Sequence, residues 1–173
     1  MNNYIIKQLI ENETIKTLFN YFNNDRKQIR LVGGCVRDAL LGREVKDIDI
    51  AASIKIDKII NILDQNQIKH ENFAYKYGSV VVFINNQKFQ ITSLREDINQ
   101  SGRHTDILYT NDWEKDAKRR DFSINAIYLS EDSTLHDSIK DRMIWLKVNL
   151  NLLEIQISEY VKIIYVFIDI IDF

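Results

Sequence analysis

Residues 29–51, IRLVGGCVRDALLGREVKDIDIA, constrain the fold of this chain more than any other segment. The apolar run IRLV ends in Gly33-Gly34 and reads as a buried strand. CVRDALLG follows with helical character and closes on Gly42. KDIDIAAS then reads as a second strand. Side chains alternate along a strand, so Asp47 and Asp49 fall on one face and Ile48 and Ile50 on the other. Strand, glycine turn, helix and acidic strand in so short a span call for a sheet with a helix packed against it.

The remaining periodicities extend this unit. Residues 3–22 place Ile6, Leu9, Ile10, Leu18 and Phe22 at helical spacing, and Ile56, Ile59, Ile60 and Leu63 mark a second amphipathic helix over residues 55–66. SVVVFI and KFQITSL are strand-like and joined by Asn85-Asn86-Gln87, which suits a hairpin. The polar segment 95–112, with Gly102, reads as a mobile loop. Residues 113–129 read as one helix, and a short strand passes through Leu135. The tail from residue 150 is expected to be helical. No internal repeat occurs. The order predicts an α/β (α+β) fold, a small mixed sheet flanked by helices.

Composition bounds the rest. With 173 residues, 45% hydrophobic and 28% charged, the chain suits one domain with a real core. It contains no proline, so no proline-rich linker marks a boundary. The net charge of −2 gives no general argument for nucleic-acid binding, which would need a local patch. The single Cys35 allows neither an internal disulfide nor a cysteine-based metal site, and a cytoplasmic setting is the default expectation. The N-terminal MNNYIIKQLIENE lacks a signal-peptide core. Ile163–Phe173 is apolar but shorter than the about 20 residues a bilayer requires, so no membrane partner is expected.

Two clusters can carry chemistry. In the first, Gly33-Gly34 lets backbone N–H groups approach a phosphate. Arg37, in the first turn of the following helix, reaches the same anion with a fork of donors. Two carboxylates on one strand face repel unless a cation lies between them, and Mg²⁺ takes such oxygen ligands together with substrate phosphates. Singly, a Gly-Gly reads as a turn, Asp-x-Asp as a solvated strand face, and Arg37-Asp38 as a surface ion pair. In order and at this spacing they amount to the equipment of phosphoryl or nucleotidyl transfer.

The second cluster is DAKRRDFSINAIYL, residues 116–129. On a helix, Arg120, Ser123 and Ile127 share one side, while Phe122, Ala126 and Leu129 form an apolar stripe. Lys118, Arg119 and Arg120 form the densest basic cluster in the chain. At a helix start they would oppose the macrodipole, which a nearby anion would offset.

GGCVRDALLGREVKDIDIA resembles the signature of the class II tRNA nucleotidyltransferase and bacterial poly(A) polymerase family, G-G-x-V-R-D-x-L-L-G followed by D-x-D. ITSLREDINQSGRH, residues 91–104, is similar to the family's flexible loop, and RRDFSINAIY to its R-R-D-F-T-x-N-A motif, with Ser123 in place of Thr. The resemblance covers about residues 28–142. It implies a head domain over residues 1–150 with the nucleotidyltransferase fold of the DNA polymerase β superfamily, and the truncated start of a neck helix over 151–173. It implies transfer of nucleotides from ATP or CTP to an RNA (tRNA) 3′ end with release of pyrophosphate. By the resemblance, Asp47 and Asp49 would hold two Mg²⁺ ions as catalytic and metal ligands. Gly33, Gly34 and Arg37 would serve the triphosphate. Arg120, supported by Asp121 and Asn125, would contact the ribose or phosphates. Arg103 and His104 would belong to the moving loop.

Departures from the family pattern define the alternative. Gln90 stands where relatives commonly carry an acid, and Ser101 where the loop carries Asp. His136-Asp137-Ser138 replaces Asp-Pro-Phe, and Ser158-Glu159-Tyr160-Val161-Lys162 is an eroded counterpart of E-D-x-x-R. The expected enzyme is therefore an active head assisted by a separate chain supplying neck and body, the alternative a split or non-catalytic remnant that keeps the fold.

Overall fold

The computed structural model describes residues 3–23, 28–101, 104–120 and 123–138. The expected boundary near residue 150, the neck segment Ser158–Lys162 and the site candidate Asp121 lie outside the described residues, as does loop residue Arg103.

In place of one N-terminal helix there are two, α1 (Asn3–Glu11) and α2 (Glu13–Asn23). The break is a cap: Asn12 Oδ1 accepts the backbone N–H groups of Thr14 and Ile15 at 2.9 and 3.2 Å. A short amide at this position satisfies donors that a continuous helix would bond differently. The apolar spacing survives the break, and Ile6, Leu9, Ile10, Ile15, Leu18 and Phe22 are all buried.

Strand β1 (Ile29–Val32) leads through Gly33 into α3 (Gly34–Leu40) and then β2 (Ile48–Ala52). Helix α4 (Ile56–Gln65) precedes β3 (Lys69–Glu71), and a 3-10 turn at Tyr75–Tyr77 precedes β4 (Ser79–Ile84) and β5 (Gln87–Ser93). The β4–β5 connection is the expected hairpin, with Asn85 and Asn86 at φ 50° and 60°. Asparagine tolerates this left-handed region and favours such two-residue turns.

The main sheet has the order β3-β4-β5-β2-β1-β8-β9, where β8 is Ile127–Leu129 and β9 is Leu135–Asp137. Among the described residues only β2 and β5 pair in parallel, so the sheet is mixed as expected. Its register separates core from site. Leu129, Leu31, Ile50, Ile91 and Val80 form one row across five strands, each at most 1% exposed. Helices α2, α3 and α4 pack along these strands. Burying each such side chain contributes on the order of 2 kcal/mol. The adjacent row, Tyr128, Val32, Asp49, Gln90 and Val81, points to the opposite face and carries the polar groups.

Two further expectations are corrected. Residues 95–112 are not an irregular loop: they form a hairpin of β6 (Arg95–Ser101) and β7 (His104–Tyr109). Few of its residues are apolar, so alternation gave no strand signal. Ion pairs Arg95–Asp97 (3.1 Å) and Lys115–Glu96 (2.8 Å) support its base instead. Residues 113–129 are not one helix. Helix α5 ends at Lys118, and a 3-10 turn at Ser123–Ala126 feeds directly into β8. Ala126 and Leu129 are buried as expected, but on a turn and a strand rather than as a helical stripe.

Candidate active site

Gly33 adopts φ 81°, ψ −142°, a conformation reserved almost entirely for glycine. A Cβ here would stand 3.3 Å from Asp49 Oδ2, and one on Gly34 would stand 3.4 Å from an Arg37 guanidinium nitrogen. The two glycines thus let the turn sit against a carboxylate on one side and a guanidinium on the other. Cys35 closes the turn from below, its thiol directed to the carbonyls of Val32 (3.1 Å) and Asp49 (3.7 Å). With seven residues, α3 offers only a modest dipole, so side-chain cations must supply most of the positive field.

Arg37 grips Asp38 with Nε and a terminal nitrogen, at 2.9 and 3.2 Å. Its other terminal nitrogen donates to Asn125 Oδ1 at 3.1 Å. This bond joins the first cluster to the second across 88 residues of sequence. The Arg37–Asp38 ion pair and the siting of Arg37 over the glycine turn therefore coexist.

Asp47 precedes β2 and is exposed, whereas Asp49 is half-buried within it. Burial pushes the Asp49 carboxyl above its ordinary value, the Arg120 charge opposes this, and the Asp47 charge adds to it. Burial thus disfavours the ionised form of Asp49, a setting that a hard divalent cation relieves. Both carboxylates are oxygen donors of the kind Mg²⁺ takes. Among the described residues no group of three or more His, Cys, Asp or Glu side chains could hold a metal. Two carboxylates with a shell completed by phosphate oxygens fit that arrangement. Gln90 lies beside Asp49 in register, on the same face, and is exposed.

The basic cluster is placed differently from expectation. Lys118, Arg119 and Arg120 lie at the C-terminal end of α5, where positive charge is favourable, so the macrodipole no longer argues for an anion. Asp112 caps the start of α5, accepting from the N–H groups of Glu114 and Lys115. The three cations also part company. Lys118 pairs with exposed Glu114 at 2.8 Å, while Arg119 and Arg120 both turn onto Asp116 at 2.6 and 2.9 Å. The Arg120 guanidinium also lies 5.6 Å from the Tyr128 ring centroid.

Asp116 is the functional-region residue that spacing did not single out. It is fully buried and also accepts the Tyr128 hydroxyl at 2.8 Å. Its signal was available: an acid four residues before Arg120 and three before Arg119 faces both on a helix.

The glycine turn between β1 and α3 thus faces the strand that carries Asp49, with Asp47 just before it. Residues 29–144 match the family model described as "Poly A polymerase head domain", and the chain belongs to this family. It is 35% identical over 131 residues to the human mitochondrial CCA tRNA nucleotidyltransferase 1, covering 75% of this chain and 30% of that one. The crystal structure of the Bacillus stearothermophilus CCA-adding enzyme in complex with CTP aligns with a TM-score of 0.64 at 27% identity, covering 81% of this chain and 31% of that one. A tRNA nucleotidyltransferase complexed with a primer tRNA and an incoming ATP analog aligns with a TM-score of 0.54 at 27% identity, covering 69% and 33%. The chain thus spans about a third of the length of these relatives. Among the described residues no helix is long and apolar enough to cross a membrane.

Proposed function

We propose that this chain carries the Mg²⁺-dependent nucleotidyl-transfer site of an enzyme that adds nucleotides from ATP or CTP to a tRNA 3′ end. The observation that carries the reading is the contact between the Gly33-Gly34 turn and Asp49. Asp47 and Asp49 would hold Mg²⁺, which when bound supplies a lowered pKa for the RNA 3′-hydroxyl and screens triphosphate charge. Gly33 and Gly34 leave backbone N–H groups open to the triphosphate, with no Cβ in the way. Arg37, oriented by Asp38 and Asn125, neutralises phosphate oxygens. Arg120 faces the same space and contacts the ribose or phosphates, with Asp121 completing the set by motif. The 3′-hydroxyl gives up its proton to solvent as its oxygen attacks the α-phosphorus, the bond to the bridging oxygen of the β-phosphate breaks, and pyrophosphate leaves. Fixed cations aimed at that developing charge supply several kcal/mol of transition-state stabilisation.

The relatives support this substrate class: one is a CCA tRNA nucleotidyltransferase, one solved relative holds CTP, and another holds a primer tRNA with an incoming ATP analog. RNA binding by regions beyond the head, supplied by a separate chain carrying neck and body, completes the proposal. A cytoplasmic location belongs to it too, and cell fractionation tests that point. The experiment for the activity is incorporation of labelled CTP or ATP into tRNA lacking its 3′ terminus, with and without a helical partner chain. Incorporation that Asp49→Ala abolishes supports the reading. Gln90 beside Asp49 favours one second reading, a head that binds nucleotide without turnover. Nucleotide binding with no incorporation under either condition would select it.

A further inference from the structure

We propose that Asp116 is a positioning residue that couples Arg120 to the base of the β6–β7 hairpin, so that hairpin and nucleotide site respond to one another. This rests on the nucleotide contact proposed for Arg120.

The two carboxylate oxygens of Asp116 divide their work. Oδ1 accepts the backbone N–H of Arg95 at 3.2 Å and two Arg119 nitrogens at 2.8 and 2.6 Å. Oδ2 accepts Arg120 Nε at 2.9 Å and the Tyr128 hydroxyl at 2.8 Å. Oδ1 therefore faces the hairpin and Oδ2 faces the site. Arg95 is the first residue of β6, and Arg119 Nε also donates to its carbonyl at 3.0 Å. Both backbone polar groups of the hairpin's first residue are thus held by the end of α5. The Arg95 side chain donates to Asp97 and to the Tyr77 carbonyl. Across the hairpin, Tyr109 pairs with Arg95 in register, and its ring lies where a Cβ on Gly78 would fall, 2.8 Å away. The base of the hairpin is a fixed pivot.

A purely structural carboxylate would be satisfied by Arg119 and the Arg95 N–H. Asp116 instead also takes Arg120, through its second oxygen. Because one rigid carboxylate serves both arms, a rotation that follows Arg95 re-aims the acceptor that orients Arg120. Charge-assisted bonds of this length are among the strong ones and hold both arms to the carboxylate.

The test uses the full chain with Mg²⁺-ATP as the probe, reading amide hydrogen exchange over residues 95–98 and the nucleotide dissociation constant. In the native chain nucleotide is expected to slow exchange in β6. Asp116→Asn is expected to weaken nucleotide binding about tenfold, the size of one lost charge-assisted hydrogen bond, and to remove that slowing. An Asp116→Asn chain that keeps nucleotide-induced slowing would overturn the coupling even if its melting temperature fell. Should Asp116→Asn not fold, Arg119→Gln serves. It leaves both Asp116 links in place, to Arg120 Nε and to the Arg95 N–H, so it should bind nucleotide and keep the slowing; loss of the slowing would move the coupling from Asp116 to Arg119 and overturn the proposal. If the native chain binds no nucleotide, the functional reading fails first. The coupling is then read without ligand: Arg120→Ala should speed exchange over residues 95–98 about tenfold, and unchanged exchange rejects it.

Discussion

Gly33 and Asp49 meet so closely that a single methyl on the glycine would stand 3.3 Å from the Asp49 carboxylate. The contact joins the end of β1 to the acidic strand β2, which pair directly through Val32 and Asp49. Backbone conformation and site geometry are therefore one constraint at this point.

Gly33→Ala is expected to destabilise the chain by about 1–3 kcal/mol, because its φ of 81° and ψ of −142° suit glycine alone. It should also displace Asp49 and weaken Mg²⁺-ATP binding. Thermal melting and nucleotide titration check both effects. A variant melting with the native protein would refute the strain argument.

Asp49→Asn is expected to raise the melting temperature of the ion-free chain by a few degrees, roughly 1 kcal/mol, while abolishing stabilisation by Mg²⁺-ATP. Burial and the Asp47 charge raise the Asp49 carboxyl in the folded state, with Arg120 opposing. The native state then binds more protons than the unfolded chain just above the ordinary value of 3.8. Stability from this group falls as pH rises through that window. Calorimetry at pH 7, with and without Mg²⁺-ATP, separates the two effects.

Cys35 is expected to resist thiol reagents in the folded chain. Burial pushes its thiol up to about 11, although backbone hydrogen bonding partly opposes this. At pH 8 the thiolate fraction would be at least about a hundredfold below that of an unfolded cysteine. Since Cys35 is the only cysteine, a disulfide-exchange assay before and after denaturant reads it directly. Fast labelling of folded protein would contradict the buried placement.

Asp116→Asn is expected to cost about 3–5 kcal/mol at neutral pH, the usual effect of unpairing buried charge. Burial alone would raise this carboxyl, but Arg120 and Arg119 outweigh it, with the Tyr128 hydroxyl adding, and hold it below 3.8. The unfolded chain therefore binds more protons in the window below that value. The stabilisation is present above it and is lost as pH falls through the lower folded value. Denaturant titrations between pH 2 and 7, compared with the variant, should show a gap that narrows only in acid.

The two ends of the site differ in how readable they were. Gly33, Gly34, Arg37, Asp47 and Asp49 lie within one short segment, and their order alone announces strand, turn, helix and strand. The hairpin at residues 95–109 did not announce itself, because its base is held by the Arg95–Asp97 pair within β6, the Lys115–Glu96 pair to α5 and Tyr109 against Gly78 rather than by an apolar alternation. The helix expected through residue 129 ends at Lys118 because Tyr128 and Leu129 are taken by the edge of β1. Local periodicity cannot weigh that competition, since strand pairing is a long-range gain.

Local chemistry in the sequence determined the family, the mixed α/β class and the candidate carboxylates, because glycine conformation and strand alternation act over a few residues. Tertiary structure decided which groups face one another. Arg37 meets Asn125 across 88 residues of chain, and one buried carboxylate, Asp116, gathers Arg95, Arg119, Arg120 and Tyr128. Such partners are chosen by the cost of burying unpaired charge, a quantity that exists only once the sheet has closed around them.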